Sequence, residues 1–165
     1  MWTTISLLTA VALSVGSPAG NWVTPLASGW MAVVKAFERP TDRFAPGHRG
    51  VDFDAPLGAS VRAIGPGRVV FVGKVAGTPT VSVEHSRPSL TSTYQPVDGS
   101  VEVGTLVSPG DLLGTVAGVT GHCMRACLHL GLRRPAWEAK DVMSDPYLDP
   151  RGWIQRRPVL KPLAP

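Results

Sequence analysis

The stretch CMRACLHLGLRR, residues 123–134, decides the fold. Its second half alternates. A β-strand sends successive side chains to opposite faces, so Leu128, Leu130 and Leu132 share one face while Cys127, His129, Gly131 and Arg133 share the other. The leucine face belongs to a core. The opposite face then turns His129 towards a groove or solvent, with Cys127 two places before it.

Working outward from this strand, the same grammar of short β-type runs and turn residues repeats back to residue 60. The runs are SVRAI (60–64), RVVFV (68–72), TVSVEH (80–85), LTSTYQ (90–95) and LLGTVAG (112–118). Pro66-Gly67, Asp98-Gly99 and Pro109-Gly110 read as the turns. RVVFV is apolar on both faces, which predicts a place in the middle of a two-layer core. TVSVEH alternates, so His85 joins Val81 and Val83 on one side and reads as a hydrogen-bonded structural histidine. The run 31–34 ahead of Pro40 suggests an edge strand. With 18 glycines and 16 prolines in 165 residues, yet 44% hydrophobic side chains, the chain is turn-rich and too apolar for disorder. The expectation is all-β: an antiparallel sandwich or barrel.

The ends differ from this middle. Residues 1–19 carry no charged side chain, have an apolar centre and finish on Ser17-Pro18-Ala19, the pattern of a secretory signal peptide. That predicts export to the cell envelope or beyond. No other segment approaches the length of a membrane span, so no transmembrane helix is expected. Residues 20–40 read as a lead-in, 41–153 as the domain and 154–165 as a proline-rich basic tail. The formal net charge of +4 survives removal of the leader and suits an anionic surface such as a bacterial wall. Nucleic acid is not the expected partner. The cations are scattered except near Arg151, Arg156, Arg157 and Lys161, without interleaved aromatic residues.

A second chemical stretch is PGHRGVDFDAPLG, residues 46–58, with His48 and Asp52 four apart. Pro46, Gly47 and Gly50 forbid a stable helix, so helical spacing does not bring the two together. A glycine-shaped loop running into a strand at Val51 would turn both inward. Imidazole and carboxylate suit zinc, and with His129 they would leave a fourth position for water. Alone, the motif is weak evidence for a metal and reads first as a surface turn.

Taken in order, GHRGVDFDAPLGASVRAIGPGRVVFVG, TVSVEH, VEVGTLVSPGDLLGTV, CLHLGLRR and DPYLDP resemble the lysostaphin-type zinc metallopeptidases, the M23 family that includes LytM domains. The likeness runs from about Gly47 to Asp149. It implies an antiparallel β-sandwich of the duplicated-hybrid-motif type with a groove over one sheet, Zn2+ as cofactor, and peptide bonds of peptidoglycan as substrate. His48 and Asp52 match the first two zinc ligands of the family, and His129 the third.

The catalytic partners depart from the family pattern. Where the family carries His-x-His at the last site, this chain has Cys127, and where a histidine follows a tyrosine on a middle strand, Tyr94 is followed by Gln95 and Pro96. General acid and base assistance is worth roughly 100- to 10,000-fold, so its absence bears directly on activity. His122, in the loop before the last strand, and Tyr94, as an oxyanion donor, are the candidate substitutes. Arg133 is a candidate for a substrate carboxylate. Three states of Cys123 and Cys127 stay open: a disulfide, which an oxidising compartment favours, a Cys127 thiolate filling the fourth zinc position, or two free thiols. Two classes of function follow. One is an exported zinc metalloendopeptidase cutting peptidoglycan peptides. The other is an inactive domain with retained zinc that binds peptidoglycan or activates another wall hydrolase.

Overall fold

The computed structural model describes residues 22–26, 32–86, 89–118, 123, 125–135, 137 and 146–154. Eleven strands are formed among them: β1 (Val33–Lys35), β2 (Gly50–Asp54), β3 (Ser60–Arg62), β4 (Gly67–Val75), β5 (Thr78–Ser86), β6 (Ser89–Gln95), β7 (Val97–Gly99), β8 (Leu106–Val107), β9 (Leu112–Val116), β10 (Cys127–Arg133) and β11 (Tyr147–Leu148). The larger sheet runs β1-β2-β10-β6-β5-β4-β8, with β11 also paired to β10, and the smaller runs β3-β9-β7. All pairings are antiparallel. The fold is thus the all-β, two-sheet architecture that the strand pattern and the resemblance both imply.

The core lies between the sheets. Val51, Phe53, Val81, Val83, Tyr94, Leu128, Leu130 and Leu132 from the larger sheet meet Val61, Val97, Leu113 and Val116 from the smaller. The leucines of β10 are fully buried, as their alternation predicts. Burial of each is worth about 1.5–3 kcal/mol, so strand register here is strongly specified. A slip of one residue would drive His129 into the core.

Two local expectations are corrected. RVVFV does not sit in the middle of the core: β4 lies next to the short strand β8, which covers only Gly67 and Arg68, and a bulge interrupts its pairing between Val69 and Phe71. Only Val69 is buried, while Val70 and Phe71 are exposed. Near a sheet edge, apolar residues on both faces reflect β-propensity rather than double burial. Asp98-Gly99 is no turn either, since both residues pair in β7 with Thr115 and Gly114 of β9. The chain changes sheets just before them, at the cis peptide Gln95-Pro96.

The folded unit also reaches past the expected bounds. Trp22 and Leu26, in the presumed lead-in, are buried in the core, and Val23 N–H donates to the Ile64 carbonyl. Trp22 packs on His85 and Trp153, with ring centroids 4.6 and 5.4 Å away. At the other end Trp153 and Ile154 pack against the core. The edge strand expected near residues 31–34 is β1. The signal-peptide segment and residues 155–165 lie outside the described residues. No helix among the described residues is long and apolar enough to cross a membrane.

Candidate metal centre

Two distant pieces of chain meet on the face of the larger sheet turned away from the core. β2 pairs with β10 so that Asp52 lies opposite His129, and His48 stands just ahead of β2, its backbone bridged to Glu38. In β2, Val51 and Phe53 point into the core, which obliges Asp52 to point to the face that carries His129. His48 Nε2 is 3.1 Å from Asp52 Oδ1 and 3.2 Å from His129 Nδ1. His129 Nδ1 is 2.7 Å from the same carboxylate oxygen. Asp52 is fully buried and His48 nearly so, while the His129 side chain keeps 14% exposure and forms the open side of the group.

The donor set suits a cation. His48 Nδ1 is 2.7 Å from the Ala36 carbonyl, which can only accept, so Nδ1 carries the proton and Nε2 of the neutral ring presents a lone pair. That lone pair faces the carboxylate oxygen and the second imidazole. Electron-rich atoms at such spacing are held together by a shared proton or a metal ion. Zinc bonds of about 2.0–2.1 Å in a tetrahedral arrangement separate neighbouring donors by about 3.3 Å, close to two of the three spacings here. A buried carboxylate without compensating charge would cost several kcal/mol. His48, Asp52 and His129 therefore form a three-ligand group fit for Zn2+, with a fourth position open.

Gly50 makes this packing possible. A Cβ at Gly50 would lie 2.6 Å from both Cε1 and Nε2 of His129 and 2.5 Å from the Leu130 carbonyl oxygen. No side chain fits there. The His129 ring thus rests its Cε1–Nε2 edge on the bare backbone of β2 and turns Nδ1 to Asp52.

Cys123 and Cys127 are joined by a disulfide. Cys123 Sγ is 3.7 Å from Asp52 Oδ2, the carboxylate oxygen not shared by the histidines. Bonded to another sulfur, it carries no proton to donate, so this is a packing contact. His122, proposed from sequence as an acid or base, lies outside the described residues.

Tyr94 requires a correction. It pairs with Leu130, not with His129, and is wholly buried on the core face, so it cannot serve as an oxyanion donor over the groove. Its hydroxyl accepts from Ile64 N–H at 3.0 Å and is bonded to Ser92 Oγ, also at 3.0 Å. Burial, partly offset by those two bonds, pushes its pKa up to about 12. His85 is the satisfied structural histidine its strand position suggests, 2.8 Å from both the Pro66 carbonyl and Ser92 Oγ. Burial pushes its pKa below the ordinary value, against the Pro66 bond.

The groove-face residue opposite His129 is Gln95. Its Nε2 donates to Thr80 Oγ1 at 2.8 Å, and the next pair along, Ser82 and Thr93, is bonded at 3.3 Å. Arg133 lies on this face about 13 Å farther along β10, half-buried and paired with Thr91 and Tyr147. It is remote from the three ligands. Sequence reading missed the roles of Gly50, Ala36, Thr80 and Gln95. Only Gly50 left a signal, as a glycine inside a strand that marks a close approach.

A family model described as peptidase family M23 matches residues 46–146. Uncharacterized proteins of Mycobacterium tuberculosis and Mycobacterium bovis are 40% identical over 136 residues, which is 81% of this chain and 52% of theirs. The chain thus spans about half the length of these relatives. Among solved structures, the catalytic domain of the antimicrobial peptidase lysostaphin from Staphylococcus simulans superposes with a TM-score of 0.58 at 20% identity, covering 74% of this chain and 90% of that domain. LytU gives 0.59 at 19% identity, over 74% of this chain and 83% of that one. A zinc-containing peptidase from Vibrio cholerae gives 0.57 at 24% identity, over 68% and 36%. These likenesses fix the architecture as lysostaphin-like. With the family match running across the segments that carry His48, Asp52 and His129, the chain belongs to peptidase family M23.

Proposed function

We propose that this protein is an exported zinc metalloendopeptidase acting on the peptides of bacterial peptidoglycan. The observation that carries the reading is the convergence of His48 Nε2, Asp52 Oδ1 and His129 Nδ1 on the outer face of the larger sheet in an M23 fold. A zinc ion held there would lower the pKa of its water and polarise a peptide carbonyl. The chain's own part is to hold and orient. The Ala36 carbonyl sets the His48 tautomer, Gly50 seats the His129 ring, and Gln95 with Thr80 paves the floor beside it. With its amide nitrogen committed to Thr80, Gln95 offers its carbonyl oxygen to a substrate N–H. The signal-peptide pattern of residues 1–19 and the cationic balance of +4 support a wall substrate rather than a cytoplasmic one.

The test is cleavage. Purified wall fragments incubated with the zinc-loaded protein should release new amino termini, and His129→Ala should abolish release while leaving the domain folded. A zinc-loaded wild type that releases none would overturn the peptidase reading.

A second reading has its own observation. The disulfide occupies Cys127 and the core occupies Tyr94, so neither supplies a proton to the groove. On that reading the same zinc-stiffened groove binds wall peptides, or docks on another wall hydrolase, without cutting. Sedimentation with peptidoglycan that persists without new amino termini would establish it.

A further inference from the structure

One carboxylate, Asp52, stands between two groups of metal-binding side chains. Its Oδ1 faces the two histidines, and its Oδ2 faces the Cys123–Cys127 disulfide. We propose that reduction of this disulfide supplies Cys123 as a fourth, thiolate ligand to the His48, Asp52 and His129 group. The chain then has two metal-binding states: open with three ligands when oxidised, closed with four when reduced. This inference rests on the zinc reading above and adds what governs that site.

Position argues for it first. Zinc–sulfur and zinc–oxygen bonds of about 2.3 and 2.0 Å place the two donors about 3.5 Å apart across a tetrahedral angle. Cys123 Sγ lies 3.7 Å from Asp52 Oδ2, the oxygen turned from the histidines, so the same carboxylate borders both groups and the sulfur has to swing around it to reach the metal side. The donor atoms of Asp52, Cys123 and Cys127 all fall within 4.8 Å of one another, and all three residues are buried. A bonded sulfur is a feeble ligand, whereas a thiolate is among the strongest for zinc. Reduction makes the sulfur a ligand and frees its side chain to turn towards the histidines.

Access and register choose the sulfur. Cys123 is 8% exposed and Cys127 only 1%. Cys127 is also fixed in β10 opposite Asp54 rather than Asp52, with its backbone held in the sheet. The balanced step uses a dithiol reductant. One of its thiolates attacks Cys123 Sγ and Cys127 departs with the electron pair. The second thiolate then releases Cys123 and leaves the reductant as a disulfide. Two electrons and two protons have passed to the chain. On metal binding Cys123 gives its proton to solvent. Opposing the change is the loss of the short loop's constraint on the unfolded chain.

With four protein ligands the metal has no place for water, so the reduced state is a closed, structural-type site. The disulfide is thereby the condition for an open one.

The experiment loads the full chain with cobalt(II) in place of zinc and follows the near-ultraviolet thiolate-to-cobalt absorption. The oxidised protein should bind cobalt without that band. After treatment with dithiothreitol and removal of the reagent the band should appear, with affinity rising roughly tenfold or more, since even outer-shell changes move metal affinity 10- to 100-fold. Cys127→Ser leaves a Cys123 thiol and should show the band without reductant. Cys123→Ser should show none under either condition. A reduced, folded chain without the band overturns the proposal, as does a band that survives in Cys123→Ser. Should the reduced wild type lose its fold by circular dichroism, Cys127→Ser decides by the same band. An oxidised chain that takes up no cobalt overturns the three-ligand reading instead, a result distinct from either of these.

Discussion

Gly50 and His129 share one space: the Cβ that any other residue would bring to position 50 falls 2.6 Å from two atoms of the His129 imidazole. Neither can be understood alone. Gly131, paired with Gly50 across the strands, is different, since a Cβ there would meet nothing nearer than the Arg49 carbonyl oxygen at 3.5 Å.

Gly50→Ala should therefore displace the ring from Asp52. The expected outcome is a loss of zinc affinity of roughly tenfold or more, with about 1–3 kcal/mol of stability lost to overpacking. Gly131→Ala should keep its zinc and its stability to within about 1 kcal/mol. Metal titration against a competing chelator, with thermal unfolding of each variant, checks both. Equal effects of the two substitutions would remove the special role assigned to Gly50.

Tyr94→Phe separates core from groove. Loss of the hydroxyl leaves Ile64 N–H without its buried acceptor and takes one partner from Ser92, which keeps His85, and should cost about 1–3 kcal/mol. Zinc content and any peptide cleavage by the surviving folded fraction should match the wild type. A fall in turnover without a fall in stability would place Tyr94 in the chemistry after all.

His85 should make stability depend on pH. Its neighbour Pro66 offers only a carbonyl, so Nδ1 keeps the proton and Nε2 of the neutral ring faces Ser92 Oγ, which is also bonded to the Tyr94 hydroxyl. Burial lowers the folded pKa, so the unfolded chain binds more protons at mildly acidic pH. The contribution is full above the ordinary value of about 6.5 and is lost as pH falls through it towards the lower folded value. His85→Gln should be less stable near neutrality and show a flatter profile. Thermal unfolding of both metal-free proteins between about pH 7.5 and 5.5 measures the difference. Parallel profiles would contradict the assignment.

Gln95→Ala should leave zinc binding intact while weakening substrate. Gln95 faces His129 across the strand pair and bonds to Thr80, yet lies outside the ligand group. If the wall peptide runs over this floor, KM should rise by roughly five- to tenfold, the worth of one hydrogen bond to a neutral partner, with kcat little changed. An unaltered KM would direct the substrate elsewhere on the sheet.

Much of this was legible along the chain. The alternation of CLHLGLR alone assigns Leu128, Leu130 and Leu132 to the core and His129 to the other face, because side-chain direction in a strand is a local property of the backbone. The same holds for His85 among Val81 and Val83. Where burial depends on neighbours the reading failed. RVVFV is apolar in every position, but only the sheet order shows that it lies near an edge. Tyr94 and Gln95 are adjacent in sequence and opposite in fate, and which one meets the groove depends on the register of β6 against β10.

The sequence by itself determined the ligand types, the strand that carries His129, and the candidate cysteine pair. Tertiary structure decided their meeting. His129 and Asp52 are 77 residues apart and touch only because the two core-facing patterns, Val51 and Phe53 against Leu128 and Leu130, lock β2 beside β10 in one register. That register sets Asp52 opposite His129, Gly50 beneath its ring, and Cys123 against the other carboxylate oxygen. None of these contacts is local, so no window of sequence contains them: they are consequences of burying the other face of the strands.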